Sequence, residues 1–510
     1  MSDTEFPPSG SAVPESMFLG NDSDTLETFE AAVETACCAI RESYLPAATP
    51  YTGASISEVR SELADIDCLP ETGTGLESAI ERVGEQLLSN AVGFHDPQYV
   101  AHLQCPPSIP GIAAELLLAA SNQSLDTWGE SPSGTVLEQR FVNQLAKVYG
   151  FPDTADGVFT SGGTQSNFAA LLLARNRHLD VNHGVDAQSA GVPEAAGDLR
   201  ILCSEAAHFS VAQAASHLGL GENAVVGVPT DNRHRMDLDA LDETLAKIES
   251  SGGELAALVA TAGTTDFGSI DPLDGLADRA DRYDMWYHVD AASGGALAFS
   301  DRHADRLAGI KRADSLTVDF HKLFYQPVSC GAILVRDETN YEYTGRNASY
   351  LNPADTDAPT PVSKSVQTTR RFDVLKPFLT FQAVGTSGVA ACVERTANLA
   401  SVAAQQIRSR SAFKLVTEPE LTTVLFRYRP SVFPSNVEEK RWHSELTNEI
   451  RDRARKAGDA IVARTIVEGT PCLKFTFMNP KTTQDDIALI LDTLAKHGER
   501  AENTSVAGSA

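Results

Sequence analysis

Residues Ser315 to Val335 read SLTVDFHKLFYQPVSCGAILV, and this stretch decides the interpretation of the fold. It begins and ends with apolar runs rich in β-branched residues, which predict two buried strands. Lys322 stands between them, in a chain whose first lysine is Lys147. A buried ammonium group is costly to desolvate unless it is neutral or covalently engaged. Taken alone, Lys322 is explained more simply as a lysine at a strand end that reaches solvent. Other residues of the chain are needed to show whether it has a chemical role.

Helix-like and strand-like segments alternate around this stretch, from about residue 112 to residue 400. Strand-like runs such as RILCSE, AVVGVPT and LAALVATAGTT are separated by amphipathic, helix-like runs such as SVAQAASHLGL and DLDALDETLAKIES. This alternation predicts an α/β fold whose mostly parallel sheet is flanked by crossover helices.

The chain divides into five predicted segments. Residues 1–16 are rich in Pro, Ser and acidic residues, which predicts disorder, and residues 17–100 show helical periodicity. Residues 101–397 form the predicted large domain, and residues 398–500 a small C-terminal α+β domain. Residues 501–510 are predicted to be a disordered tail.

The composition is strongly acidic, with a formal net charge of -28 spread along all 510 residues. Such a surface repels the phosphates of nucleic acid, so no nucleic-acid partner is expected. An acidic, lysine-poor surface fits a protein that stays soluble in strong salt, where self-repulsion is screened. The source predicted on this ground is a salt-loving archaeon, and an ordinary acidic bacterial protein is the alternative.

The sequence predicts neither a membrane-spanning segment nor a secretion signal. No apolar run approaches the roughly 18 residues of a membrane span, and the first residues lack the basic and apolar regions of a secretion signal. The eight cysteines include no C-x-x-C pair and no cluster with zinc spacing. A cytoplasmic protein with no metal site and no membrane partner is therefore expected.

The sequence TSGGTQSN, from Thr160 to Asn167, follows one predicted strand and opens a helix. Gly162 and Gly163 allow close backbone approach, and Thr164 stands at a helix N-terminus, which favours a bound phosphate. The run matches neither a P-loop nor a dinucleotide-binding pattern. A plain strand-to-helix connection remains the commoner explanation of two adjacent glycines.

Three more polar residues follow predicted strands, where the ligands of an open parallel sheet collect. Asp290 in YHVDAASGG can hold a heteroaromatic nitrogen protonated, although a helix cap is its ordinary role. His208 in EAAHFSV can lie flat against a planar cofactor, although an isolated His is usually structural. Lys322, preceded by His321, can form a Schiff base if burial lowers its pKa. Together with the phosphate cradle, these are the parts that pyridoxal 5'-phosphate (PLP) requires.

The order of these residues along the chain resembles the group II PLP-dependent decarboxylases, which are fold-type-I enzymes of the aspartate aminotransferase superfamily. The resemblance covers most of residues 90–400 and continues more weakly on both sides. Its motifs include FLGND, TSGGTQSNFAALLLAR, HVDAASGGAL, TVDFHKLFYQPVSCGA and QTTRRFDVLKPFLTFQ. Asp319 and Phe320 precede His-Lys where relatives acting on glutamate or aromatic amino acids more often have Asn-Pro. In this respect the chain is similar to the branch acting on L-2,4-diaminobutyrate.

The resemblance implies a role for each matched position. Lys322 is implied to bind the cofactor's aldehyde, Asp290 to pair with its ring nitrogen, and His208 to stack on the ring. The remaining implied site residues are Gly163, Thr164, His321 and Asp319 around the phosphate, Thr264 near the cofactor, Tyr350 as a proton donor on a mobile loop, and His102 in the substrate pocket. Ser293 departs from the family, since many relatives have Tyr there.

The activity implied by the resemblance is decarboxylation of L-2,4-diaminobutyrate to 1,3-diaminopropane and CO2, in a homodimer with active sites at the interface. Glutamate, aspartate, ornithine, lysine and aromatic amino acids remain open as substrates. An aminotransferase is a further alternative, in which Arg370 or Arg371 would clamp the substrate carboxylate. A catalytically inactive member of the fold is the third, and the intact lysine, aspartate and histidine argue against it.

Overall fold

The computed structural model describes residues 17–47, 49–345, 360–431, 433 and 438–507. The helices in these ranges are α1 Ser23–Ala39, α2 Ile56–Glu62, α3 Leu76–Gln86, α4 Ile109–Ser121, α5 Pro132–Val148, α6 Gly163–His183, α7 Ala187–Ala190, α8 Ser210–His217, α9 Leu238–Ser250, α10 Leu273–Arg282, α11 Leu375–Ser409, α12 Glu439–Lys456 and α13 Gln484–Ala507. The strands are β1 Tyr99–Val100, β2 Asp156–Thr160, β3 Leu199–Ser204, β4 Val225–Val228, β5 Glu254–Thr261, β6 Trp286–Asp290, β7 Ser315–Asp319, β8 Gly331–Val335, β9 Phe413–Leu415, β10 Thr423–Tyr428, β11 Ile461–Val467 and β12 Thr470–Thr476. The predicted disorder of residues 1–16 concerns a segment outside the described residues.

The large sheet has seven strands within the described residues, in the order β2-β8-β7-β6-β5-β3-β4. Neighbouring strands from β7 to β4 are parallel, and β8 runs antiparallel to both β2 and β7. The predicted α/β fold with a mostly parallel sheet is confirmed. The stretch around Lys322 joins β7 to β8, the antiparallel strand.

Helices cover both faces of this sheet because its strands are apolar on both sides. Successive residues of a strand point to opposite faces, and β5 shows this directly. Leu258 and Ala260 pack in the core that contains residues of α5, α9 and α10, whereas Ala257 and Val259 pack in the core that contains residues of α6 and α8. Asp290 stands at the last position of β6, where the strand meets the site.

The register of β6 and β7 places matching polar residues side by side. His288 pairs with Ser315, and Asp290 pairs with Thr317. Trp286, His288 and Asp290 alternate along β6, so all three point to one face. Trp286 packs in the core shared with α6, so this face is the one that α6 covers.

A second sheet has the order β1-β11-β12-β10-β9, counted over the described residues. Its core includes Phe426 and Phe475 from the strands and Trp442 from α12. The predicted small α+β unit therefore also takes in β1, because Tyr99 and Val100 pair in parallel with β11. The predicted boundary between residues 397 and 398 falls inside α11.

The last helix extends into the segment predicted to be a disordered tail. It continues to Ala507, and Ala501 and Glu502 are buried. The carboxylate of Glu502 accepts hydrogen bonds from the backbone N–H and the hydroxyl of Ser431. Tertiary contacts of this kind stabilise a helix end whose local sequence predicts fraying.

The N-terminal segment contains α1, α2 and α3, as its periodicity predicted. Asp22 caps α1 by accepting from the N–H of Thr25 at 2.9 Å, and Ser55 and Glu58 form a capping box at α2. No residue of α1 is buried in the chain as described. Every helix that the structure describes is too short or too polar to cross a membrane.

Candidate active site

A cavity of about 250 Å³ opens at the carboxyl edge of the large sheet. It lies where the ends of β2, β6 and β7 and the start of α6 meet, which is where ligands bind in open α/β sheets. Most of the predicted site residues line it, namely Gly163, Thr164, His208, Asp290, Asp319, His321 and Lys322. Ser293, the departure from the family pattern, also lines this cavity.

The start of α6 forms a narrow cradle at this cavity. Gly162 has a φ of 143°, which few residues other than glycine adopt. A Cβ atom on Gly162 would lie 3.0 Å from the His321 ring, and one on Gly163 would lie 3.1 Å from an oxygen of Asp319. Glycine at these two positions therefore lets the start of α6 approach His321 and Asp319 closely at the cavity wall. A helix N-terminus with free N–H groups favours an anion such as a phosphate.

Lys322 forms an ion pair with a buried carboxylate. Its Nζ lies 3.0 Å from Oδ2 of Asp319, and the Lys322 side chain is 19% exposed. The Nε2 atom of His321 lies 3.7 Å from the same oxygen. The other carboxylate oxygen, Oδ1 of Asp319, is buried and has no hydrogen-bond partner among the described residues. The pairing explains how the chain places a lysine between two buried strands.

Asp290 and His208 are joined through α6 and the start of α8. Asn167 donates from Nδ2 to Oδ2 of Asp290 at 2.8 Å and to Oγ of Ser210 at 2.9 Å. The Ser210 hydroxyl lies 2.9 Å from Nδ1 of His208. Burial lowers the pKa of His208, although the charge of Asp290 opposes this effect. Burial therefore favours the neutral form of the His208 imidazole.

Three further polar residues, His288, Ser315 and Thr317, connect to Asn167 and do not themselves line the cavity. Nε2 of His288 lies 3.0 Å from Oδ1 of Asn167, and Thr317 donates its hydroxyl to the same oxygen at 2.8 Å. Nδ1 of His288 lies 2.8 Å from the Ser315 hydroxyl. Complete burial lowers the pKa of His288 to about 4, so this imidazole is neutral as well.

Sequence reasoning missed Asn167 and His288. Two simple signals point to them. Asn167 follows Gly163 by four residues, which is about one helical turn and therefore the same face of α6. His288 precedes Asp290 by two residues, which is the same face of β6.

Three of the predicted site residues are not among the described residues that line the cavity. Thr264 is buried in a neighbouring loop, and its hydroxyl bonds to the Ser269 hydroxyl at 2.7 Å rather than lining the cavity. His102 is an exposed residue that does not line this cavity. Tyr350 lies outside the described residues.

Arg370 and Arg371, the residues considered as a carboxylate clamp, are both engaged elsewhere. Both guanidinium Nη atoms of Arg370 lie 2.9 Å from Glu138, in a buried bidentate pair. Arg371 pairs with Glu115 and lies 3.5 Å from Asp373. Neither arginine lines the cavity. Neither of these two arginines is therefore placed to clamp a substrate carboxylate in this cavity.

A separate polar cluster lies at the other end of α6, near the start of β5. Nε2 of His178 and Nε2 of His183 lie 3.0 and 2.7 Å from one carboxylate oxygen of Glu254. The three side chains have the types and spacing that could hold a metal ion. Each imidazole can instead donate to the shared carboxylate, which satisfies all three groups without an ion.

Comparison with known proteins identifies the class of enzyme. Residues 63–429 match the family model of the pyridoxal-dependent decarboxylase conserved domain. The match covers well over half of the chain, and the chain belongs to this family. It is therefore a PLP-dependent carboxy-lyase.

The chain is also similar to individual decarboxylases and to a solved structure. The chain is 39% identical to the L-2,4-diaminobutyrate decarboxylase of Rhizobium meliloti (strain 1021), over 97% of each chain. It is 29% identical to the acidic amino acid decarboxylase GADL1 of Mus musculus, over 92% of this chain and 86% of that one. A crystal structure of the glutamate decarboxylase domain of diaminobutyrate-pyruvate transaminase and L-2,4-diaminobutyrate decarboxylase from Vibrio parahaemolyticus matches with a TM-score of 0.86 and 37% identity. That match covers 95% of this chain and 98% of the Vibrio chain.

The residues around the cavity fit PLP, the cofactor of this family. The glycine cradle at α6 suits a phosphate, and the primary amine of Lys322 suits an aldehyde. The hydroxyl of Thr261 lines the cavity, is buried, and has no hydrogen-bond partner among the described residues, so it remains free for a ligand. The carboxylate of Asp290 supplies the negative charge that a protonated ring nitrogen requires.

Proposed function

We propose that the protein decarboxylates L-2,4-diaminobutyrate to 1,3-diaminopropane and CO2. The observation that carries this proposal is the difference in identity between the two named relatives, 39% against 29%. The stretch VDFHKLFYQPVSCGA, with Asp319 in place of the more usual Asn, supports the same branch. The engagement of Arg370 with Glu138 supports decarboxylation over transamination.

The proposed roles follow from the chemistry of each side chain. Bound PLP supplies an electron-withdrawing ring that accepts the electron pair left when the carboxylate departs as CO2. Lys322 supplies the amine that holds the cofactor, and Asp290 keeps the ring nitrogen protonated by its negative charge. His208 offers a flat neutral imidazole beside the ring.

The proposed phosphate site consists of Gly163 and Thr164 at the helix start, with His321 beside them. Asp319 supports this site indirectly, because a carboxylate that faced a phosphate would repel it. Its ion pair with Lys322 and its position beside His321 hold those two residues in place. Thr264 contributes to the loop that closes this side of the cavity through its bond to Ser269.

Tyr350 is proposed to donate the proton that replaces the carboxylate at Cα. It stands in the Pro- and Asn-rich stretch ASYLNPADTDAP, whose composition is typical of a loop. Long loops in compact enzymes often act as lids that exclude water. His102 is proposed to belong to a substrate pocket that a second subunit completes, since it does not line the cavity of its own chain.

The proposed assembly is a homodimer in the cytoplasm. Met17, Phe18, Leu19 and Leu26 at the N-terminus are exposed in the single chain, and so are Ile109 and Leu117 on α4. Exposed apolar patches of this kind mark interfaces. A second copy of the chain is the proposed partner because the resemblance to fold-type-I enzymes implies a homodimer with active sites at the interface.

The substrate is tested with purified protein, PLP and a panel of amino acids, by measuring CO2 release in concentrated KCl. The expected result is a higher kcat/KM for L-2,4-diaminobutyrate than for glutamate, aspartate, ornithine, lysine or an aromatic amino acid. A higher value for glutamate or an aromatic amino acid would reject the substrate and leave the family assignment intact.

A further inference from the structure

The polar residues around Asp290 form a series of hydrogen bonds, and the donor of each bond follows from the chemistry of its two atoms. The series begins at Trp286, whose indole N–H is only a donor and lies 2.8 Å from Oγ of Ser315. The Ser315 hydroxyl has one proton, and Nδ1 of His288 lies 2.8 Å from it. Neutral His288 donates from only one ring nitrogen. The direction of that donation is decided by its other neighbour.

The other neighbour of His288 is the side chain of Asn167, whose orientation is fixed by Asp290. An ionised carboxylate only accepts hydrogen bonds, so the NH2 group of Asn167 must face Asp290 and its Oδ1 must face His288. An amide oxygen also only accepts. His288 therefore carries its proton on Nε2, and its Nδ1 accepts the proton of Ser315.

The same amide sets the protonation of His208 on the cavity side. The second N–H of Asn167 donates to Oγ of Ser210 at 2.9 Å. The Ser210 hydroxyl then donates to Nδ1 of His208, which also accepts the backbone N–H of Ser210 at 3.3 Å. His208 therefore carries its proton on Nε2, the nitrogen that is not used within this chain of bonds.

This arrangement is closed to solvent at every internal link. Asn167, Ser210, His288 and Ser315 are each at most 1% exposed. Water cannot replace a lost partner at such positions without a rearrangement, and an unpaired buried polar group is costly. The directions are therefore maintained by the protein alone.

We infer that Asn167 and His288 are positioning residues of the cofactor site. Together they orient the Asp290 carboxylate as a hydrogen-bond acceptor and leave Nε2 of His208 as the nitrogen that carries the proton. Asn167 is the shared residue, because one amide group serves both Asp290 and His208. The inference rests on the proposed roles of Asp290 and His208, and it adds two residues to which the sequence motifs assigned no role.

The first test measures PLP affinity of the apoprotein by equilibrium dialysis. Asn167→Leu keeps the approximate size of the side chain and removes both donors, so PLP should bind ~10- to ~100-fold more weakly, as expected for a lost bond to a charged group. His288→Gln keeps an N–H donor near the position of Nε2 and should bind PLP within about threefold of the wild type, whereas His288→Leu should weaken binding by ~10-fold. Wild-type affinity in both leucine variants would overturn the inference.

A matched control comes from the same helix. Asn176 is another buried asparagine of α6, but its amide donates to the backbone oxygen of Tyr343 and not to the cavity. Asn176→Leu should lower stability without weakening PLP binding in the folded protein. An equal loss of affinity in this control would show a general packing effect and overturn the inference.

The second test observes the proton of His208 directly. The holoenzyme is labelled with 15N-histidine. NMR correlations between the ring nitrogens and the protons bonded to ring carbons then distinguish the two neutral tautomers of each histidine. The His208 signals, assigned by their loss in His208→Gln, should show the proton on Nε2. A proton on Nδ1 would overturn the inference. Failure of the wild-type protein to bind PLP at Lys322 would instead reject the proposed function.

Discussion

At the scale of single residues, Lys322 and Asp319 depend on each other. The lysine is placed between two strands whose neighbouring side chains are buried, and the carboxylate three positions earlier neutralises its charge at 3.0 Å. The flanking runs favour burial, and the ion pair lowers its cost for the ammonium group. The carboxylate of Asp319 therefore allows the charged side chain of Lys322 to lie in this otherwise apolar stretch.

Lys322→Ala should remove the covalent attachment of the cofactor, because no other primary amine among the described residues lines the cavity. The attachment is measured by borohydride reduction followed by mass spectrometry of the digested protein. The wild type should carry the reduced cofactor on the peptide that contains Lys322, and Lys311→Ala, which changes an exposed lysine, should keep it. An adduct at a different lysine in the wild type would contradict the assignment.

Tyr350→Phe should separate CO2 release from diamine formation. The substitution keeps the ring and removes the phenolic proton, so protonation at Cα should slow more than loss of CO2. The measurement is the molar ratio of CO2 to 1,3-diaminopropane early in a single turnover with enzyme in excess over substrate, where this ratio should exceed that of the wild type. Tyr343→Phe, at a residue that does not line the cavity, serves as the control. Equal amounts of both products at the wild-type rate would place the donor elsewhere.

At the scale of secondary structure elements, α6 organises the site. Its first residues form the glycine cradle, and Asn167 in the next turn reaches Asp290 at the end of β6. The segment before α11 is fixed by the pair between Arg370 and Glu138, and Arg370 also donates to the backbone oxygens of Leu125 and Phe159. Through these bonds Arg370 links the segment before α11 to α5 and to β2.

Arg370→Met should lower the free energy of unfolding by about 3–5 kcal/mol, because it leaves Glu138 buried and unpaired. The urea midpoint of unfolding is the measurement. Arg371→Met is the matched control, since this neighbouring side chain is 47% exposed and its pairs should contribute no more than about 1 kcal/mol. A stable Arg370→Met protein with a strongly raised KM would instead indicate that Arg370 binds substrate.

At the scale of the whole molecule, charge and exposed apolar surface are the main features. There are 69 acidic residues against 41 basic ones, so the folded chain repels itself in dilute buffer. Dissolved salt screens this repulsion. At 0.1 M salt, exposed charges separated by more than about 10 Å interact little, and this distance becomes shorter in stronger salt. This charge balance is the physical reason for predicting adaptation to high salt.

The melting temperature should therefore rise as KCl is increased from dilute to molar concentrations. Thermal unfolding followed by circular dichroism measures this. Potassium glutamate and potassium chloride at equal ionic strength form a useful pair, because a screening effect should be similar in both. A melting temperature that does not change with salt would contradict the proposed adaptation.

Light scattering after size-exclusion chromatography should give twice the mass of the chain, 54.5 kDa, in concentrated salt. Burial of the apolar residues of the N-terminal segment and of α4 between two copies is the physical reason. Ile109→Glu places a charge on this surface and should favour the monomer, whereas Leu489→Glu, on the exposed side of α13, should not. A fully active monomer would contradict the proposed assembly.

The order of residues along the chain was enough to predict the alternation of strands and helices, the mostly parallel sheet, and the polar residues at its carboxyl edge. These features depend on local periodicity and on the fixed geometry of strand ends, which a chain carries in its own order. Three contacts became visible only in the folded chain. Asn167 contacts Asp290, 123 positions away, and Arg370 pairs with Glu138, 232 positions away. Tyr99 and Val100 join the small sheet. Such contacts depend on strand register and on the packing of α6 and α11 against the sheet, and a shift of one residue would turn each of these strand side chains to the opposite face.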